Sequence, residues 1–184
     1  FRGREPGPSA RAVSREAERA IAAGARALAA PAWCAARDRA VPVGNFAIGT
    51  GRFALKAGDA NGFRVSPRVD AATADLAIRL LDELRLGKGA APDLLSVSFS
   101  ATDYIGHAFG NEGVEMCIEM AELDRSIGRL LAALDKRGID YAVVLSADHG
   151  GADTPERLDQ QAYPRATRAG QELTPAALAG DITR

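Results

Sequence analysis

The apolar positions of the chain follow two different periods. From Ser9 to about Ala30, Val13, Ala17, Ala20, Ile21, Gly24 and Leu28 share one helical face, which predicts a helix ended by Pro31. A second helix is predicted from Asp70, read as its N-cap, to about Leu86, with Ala77, Leu80, Leu81 and Leu84 inward and Gly87 as its stop. A third runs from about Glu112 to Lys136, where Met116, Met120, Leu123, Ile127, Leu130 and Leu134 form one seam that Gly138 closes. Two short runs break the helical period. Asp93 to Ser100 (DLLSVSFS) and Tyr141 to Ser146 (YAVVLS) are nearly continuous in apolar residues and are predicted as buried strands.

Strand, helix, strand is a βαβ unit with a right-handed crossover, so the region from Asp70 onward reads αβαβ. The prediction is an α/β fold with a parallel sheet. Between Pro31 and Pro67 the glycines and prolines break up any period, and Val41–Val43 and Arg52–Leu55 are the only candidate strands. Residues 1–69 are accordingly assigned to a cap or insertion region with connecting segments, and 70–184 to part of the α/β catalytic core.

Composition narrows the classes. The chain has 184 residues, 47% hydrophobic and 26% charged, the balance of one globular domain. Its 23 basic and 24 acidic residues leave a net charge of -1 with no basic block, which argues against nucleic-acid binding by bulk attraction to phosphate. No apolar run approaches the roughly 20 residues that span a bilayer, so no membrane contact is expected. Alanine is abundant and blurs helix boundaries, because it favours helix everywhere. Cys34 and Cys117 are too few for a disulfide scaffold and too far apart for a zinc clasp; one disulfide and two buried thiols both remain open. Phe1 is not an initiator Met and the chain stops at Arg184, so the sequence reads as an internal stretch of a longer protein.

The chemistry lies just past the predicted strand ends, where doubly wound sheets keep their sites. Thr102-Asp103-Tyr104-Ile105-Gly106-His107 follows the first run, and Ser146-Ala147-Asp148-His149-Gly150-Gly151 follows the second. The only two histidines each lie near an aspartate. Carboxylate plus imidazole is the ligand chemistry of zinc and related divalent ions. Asp103 and His107 fall on one side of a helical turn and can grip one ion. Asp148 and His149 are adjacent, and share an ion only if the chain turns there, a freedom that Gly150 supplies. Each motif also has a plain reading, an N-cap at Asp103 and a turn at His149-Gly150, and it is their recurrence at two strand ends that favours metal. Met116 and Met120 are assigned to the core, Trp33 to local packing and Cys117 to packing. Arg52 and Lys56 could contact an anion, while Ser100 and Thr102 lie close to the proposed metals without the marks of an activated nucleophile.

The runs LSVSFSATDYIGHAFGNEGVEMCIEM and VVLSADHGGADTPERL together resemble the alkaline phosphatase superfamily. The resemblance is nearest to bacterial periplasmic alkaline phosphatases related to nucleotide pyrophosphatase/phosphodiesterases, the Sphingomonas-type enzymes with a threonine nucleophile. It implies part of a three-layer α/β sandwich with a mainly parallel sheet. It further implies two zinc ions, one held by Asp103 and His107 and the other by Asp148 and His149. The implied reaction is hydrolysis of small phosphate monoesters through a covalent phosphothreonine, in the periplasm. This chain has no match to the expected upstream Asp and nucleophilic Thr, to a Lys-x-Arg phosphate clamp or to a third histidine. The resemblance therefore assigns it no catalytic residue, half of a catalytic centre and no activity without the remainder of the parent chain. A phosphodiesterase or nucleotide pyrophosphatase of the same superfamily shares both metal motifs. A catalytically silent α/β binding domain, with the same residues as caps and turns, is the alternative from another class.

Overall fold

A computed structural model of the protein describes residues 6–163 and 165–182; Phe1 and Arg184 lie outside them. The first helix, α1, spans Pro8–Ala23 and stops well short of Ala30. Gly24 turns the chain with a φ of +69°, and a Cβ there would lie 2.7 Å from the Leu55 carbonyl oxygen. Beyond it the alanine-rich stretch runs extended. Ala25 and Leu55 exchange backbone hydrogen bonds of 3.0 and 2.9 Å, and the Leu28 amide donates to Arg52 at 2.7 Å. Alanine favours helix, and tertiary pairing overrides it here. The same pairing is all that remains of the expected Arg52–Leu55 strand, an isolated bridge at Leu55.

After a 3-10 turn at Ala32–Arg37, strands β1 (Val41–Val43) and β2 (Phe46–Ile48) form an antiparallel hairpin that buries Val41, Val43 and Ile48. Helix α2 (Ala60–Arg64) is capped by Asp59, whose carboxylate accepts the Gly62 amide at 2.7 Å. Helix α3 covers Pro67–Glu83. Its N-cap is Ser66, with Pro67 in the first turn; Asp70 sits inside the helix and is 1% exposed. The sequence offered Asp70 as a cap because it precedes the apolar face, but the Ser-Pro pair ahead of it has the stronger capping chemistry. Helices α4 (Ala101–Phe109), α5 (Val114–Lys136), α6 (Pro155–Gln160) and α7 (Pro175–Ile182) complete the order.

The packing centre is the first part of α5, buried on every side from Val114 to Glu119. Ile105 and Ala101 of α4, Phe53, Cys34, Met116, Cys117 and Ile118 close one core there. A second forms farther along α5, where Leu130 meets Ala77 and Leu81 of α3. Met120 is 39% exposed and does not fill the core as expected, because α5 buries all faces only at its head and Met120 lies beyond it; Trp33, expected to pack locally, is 64% exposed.

The two predicted strands are the main correction. Among the described residues neither 93–100 nor 141–146 belongs to a ladder, and the only sheet is the β1–β2 hairpin. Leu95 and Val97 do cover the α3–α5 cluster while Leu94 is 92% exposed, which is the alternation of a strand with one face packed. Val144 and Leu145 are 93% and 81% exposed. A strand exists only through its pairing, and no described segment offers these two runs a hydrogen-bonding neighbour.

Cys34 and Cys117 form a disulfide, resolving the two open readings and correcting Cys117 as an unbonded packed thiol. It ties the 3-10 turn to α5 across 83 residues of sequence, and both cysteines are buried. Closure of a loop of that length restrains the unfolded chain by about 4 kcal/mol on chain-entropy grounds. Reduction, or replacement of both cysteines by serine, is expected to lower unfolding stability by roughly 2–4 kcal/mol in urea titrations. Equal midpoints for the oxidised and reduced protein would contradict it.

Candidate metal centre

The site begins where residues 93–100 run into α4. Asp103 lies in the first turn of this helix and His107 one turn on, with His107 Nε2 3.3 Å from Asp103 Oδ1. The second pair comes to the same place. His149 Nε2 is 3.5 Å from that same Asp103 oxygen and 3.7 Å from Asp148 Oδ2. The chain turns at Asp148 as the motif required, since the His149 amide donates to Asp148 Oδ1 at 3.1 Å. All four residues named from sequence therefore converge, with Asp103 between the two imidazoles.

The proton on His149 is assignable. Its Nδ1 lies 2.8 Å from the Gly150 carbonyl oxygen, which can only accept, so Nδ1 carries the hydrogen and the neutral ring leaves a lone pair on Nε2. An imidazole oriented by a backbone carbonyl in this way is the usual partner of a metal. That bond, then the charges of Asp148 and Asp103, hold the His149 pKa above its ordinary value. The donor chemistry, two carboxylates and two imidazoles, fits a divalent ion such as zinc. The enclosure is incomplete, however. Among the described residues no three His, Cys, Asp or Glu are set to surround one ion, and the four side chains are 45% to 88% exposed.

What joins the two halves was not foreseen in the sequence. Asp153 and Arg157 form an ion pair whose side chains are 2% and 4% exposed. Asp153 Oδ1 accepts the Asn111 amide at 2.9 Å, Arg157 donates to the Phe109 carbonyl at 3.2 Å, and the Asn111 side chain donates to Ala152 at 3.1 Å. The end of α4 is thus fastened to the segment after His149. Gly110 permits the contact: its φ is +78°, and a Cβ there would lie 2.1 Å from Asp153 Oδ1. Glu115, 1% exposed, accepts the Gly49 and Gly51 amides at 2.8 Å each and anchors the loop after the hairpin. The only sequence signals were the four-residue steps Asp153–Arg157 and Glu115–Glu119 in otherwise apolar or loop surroundings.

The weaker candidates resolve differently. Thr102 turns inward and donates to Glu119 at 3.3 Å, and the Ser100 hydroxyl lies 3.3 Å from that of Ser98. Arg52 is paired with Asp38 rather than open to an anion, and Lys56 is exposed. A cleft of about 270 Å³ opens beside His107 between Val43, Phe46, Ile48, Thr154 and Arg168.

A family model described as type I phosphodiesterase / nucleotide pyrophosphatase matches residues 21–170. The chain belongs to this family. It is 50% identical over 152 residues to alkaline phosphatase PhoK of a Sphingomonas species, covering 83% of this chain and 27% of that protein. It is 51% identical over 146 residues to alkaline phosphatase PhoD of Zymomonas mobilis, covering 79% and 25%. The chain therefore spans about a quarter of the length of these relatives. A crystal structure of alkaline phosphatase PafA superposes with a TM-score of 0.70 at 22% identity, covering 88% of this chain and 34% of that one. That match carries the fold: the described elements are part of the alkaline-phosphatase-like α/β architecture that the resemblance implied.

The fastening of the two loops sets the first expectation for this type I phosphodiesterase/nucleotide pyrophosphatase family chain. Arg157→Ala strands the buried Asp153 carboxylate and should cost about 3–5 kcal/mol in denaturant unfolding. Arg157→Lys, which cannot hold Asp153 and Phe109 together with one planar fork, should recover only part of the loss. A cost near zero for Arg157→Ala would show that the pair is not what joins the loops.

Proposed function

We propose that the chain is part of a zinc-dependent phosphatase acting on phosphate monoesters, and that Asp103, His107, Asp148 and His149 are metal ligands of its centre. The observation that carries this reading is the single Asp103 oxygen lying 3.3 and 3.5 Å from two imidazole nitrogens, the one on His149 being the unprotonated nitrogen of the neutral ring. Asp103 and His107 would hold one ion, Asp148 and His149 the other. Two divalent ions supply Lewis-acid stabilisation of the charge that develops on a transferring phosphoryl group.

The chain's own residues do the positioning. The Gly150 carbonyl keeps His149 in the tautomer that presents Nε2, and the Asp153–Arg157 pair holds its loop against α4. The cleft beside His107 offers the apolar side chains of Val43, Phe46 and Ile48 to the organic part of an ester. Each ion has only two ligands here, and no activated nucleophile lies beside them, so the chain alone is taken to be inactive and to bind zinc weakly. The nucleophilic threonine belongs to the rest of a longer protein. The two alkaline phosphatases at about half identity favour a monoester over the diester or pyrophosphate that the family description also admits. The Cys34–Cys117 disulfide is compatible with export to the periplasm.

Two measurements test this reading. The longer protein should hydrolyse p-nitrophenyl phosphate, lose turnover to a chelator and recover it with Zn²⁺, while this chain shows none. Asp103→Ala in the longer protein should lower kcat/KM by at least the roughly 100-fold that loss of an outer partner of a metal ligand costs. Chelator-resistant turnover, or a fully active Asp103→Ala variant, would contradict it.

A further inference from the structure

Helices α3, α4 and α5 meet around two carboxyl groups that the proposed site does not use. Asp70 is 1% exposed and Glu119 is completely buried. One oxygen of each is satisfied: Asp70 Oδ1 accepts the Ala101 amide at 3.0 Å, and Glu119 Oε1 accepts the Thr102 hydroxyl at 3.3 Å. The other oxygens, Asp70 Oδ2 and Glu119 Oε2, are buried with no donor. The two carboxyl groups act on each other, and each bonds to one of two consecutive residues of α4, Ala101 and Thr102. Two buried carboxylates in contact cannot both stay ionised, and one proton between them supplies the donor that both orphan oxygens lack. Asp70 accepts a backbone amide where Glu119 accepts only a hydroxyl at longer range, so Asp70 is the better anion and the proton belongs on Glu119.

Both groups act on the same element. The Ala101 amide and the Thr102 hydroxyl belong to the first turn of α4, immediately ahead of Asp103, and His107 follows one turn later. We propose that Asp70 and Glu119 are positioning residues that share one proton, and that this bridged pair sets the first turn of α4 and with it Asp103 and His107. The consequence for metal binding rests on the ligand reading above; the shared proton does not.

The charged surroundings are few. On α5, Glu122 adds negative charge toward Glu119; on α3, Arg68 faces Glu122; α4 contributes the amide and the hydroxyl. Burial first, then the Asp70 charge and their hydrogen bond, push Glu119 up to about 8, and burial raises Asp70. The folded state thus keeps a proton that the unfolded chain releases from its ordinary value of 4.5. Stability from this group is complete below that value, declines as pH rises toward 8 and is level above it. Above pH 8 the pair carries two charges and its grip on α4 loosens.

The test follows backbone amides by ¹H–¹⁵N NMR, and thermal unfolding, from about pH 5 to 10 without added metal. It compares the chain with Glu119→Gln, whose amide keeps a donor toward Asp70, and with Asp70→Asn as a second variant. In the unmodified chain the amides of Ala101, Thr102, Asp103 and His107 should titrate together with a midpoint near 8, and Tm should fall up to that pH. In Glu119→Gln the common titration should vanish, in Asp70→Asn its midpoint should fall, and in both the decline in Tm should be shallower. Identical pH profiles in chain and variants would overturn the shared proton. A titration that stops at Thr102, leaving Asp103 and His107 unmoved, would overturn the positioning role. Because no metal is present, neither result depends on whether the four ligands bind one.

Discussion

The buried Asp153–Arg157 pair is the contact on which the site depends. The four candidate ligands arrive from helix α4 and from a loop separated from it by the whole of α5, and nothing in either motif holds them together. The pair does so by closing two hydrogen bonds onto the end of α4, at Phe109 and Asn111, and the Asn111 side chain adds a third to Ala152. Two charges removed from water are costly, and the geometry compensates by satisfying backbone groups as well as each other. Without it, His149 would sit on an exposed loop with no reason to meet Asp103.

Buried acidic groups also organise the head of α5. Val114 to Glu119 is buried all round, so Glu115 and Glu119 have no water and must be partnered from the protein. Glu115 takes the amides of Gly49 and Gly51, and Glu119 takes Thr102 and Asp70. The Cys34–Cys117 disulfide lies in the same turn and joins the hairpin side of the molecule to the helices. One helical end thereby fixes the loop after the hairpin, the 3-10 turn and the first turn of α4.

Local chemistry was the legible part of this sequence. The residues proposed as ligands stood out because Asp and His recur in two short motifs, each placed after a strand-like run, and Asp103, His107 and His149 do come together. Helix α5 was readable from its apolar seam. The failures came from long-range pairing. Ala25 to Ala30 has the composition of a helix and runs extended because Leu55 and Arg52 pair with it. The runs 93–100 and 141–146 have strand composition, but a ladder needs a neighbour that composition cannot supply. Asp70 read as a helix cap, and nothing marked Glu115, Glu119, Asp153 or Arg157, because burial of a charged residue is decided by what packs over it.

The most direct test of the account is a zinc titration of the folded chain, followed through the imidazole resonances of His107 and His149 by long-range ¹H–¹⁵N NMR. Both rings should shift with zinc, and in Asp103→Ala the His107 response should weaken strongly while His149, which keeps Asp148, retains its own. Imidazoles that ignore zinc while the protein stays folded, or a His107 that responds equally well without Asp103, would contradict the proposed ligands.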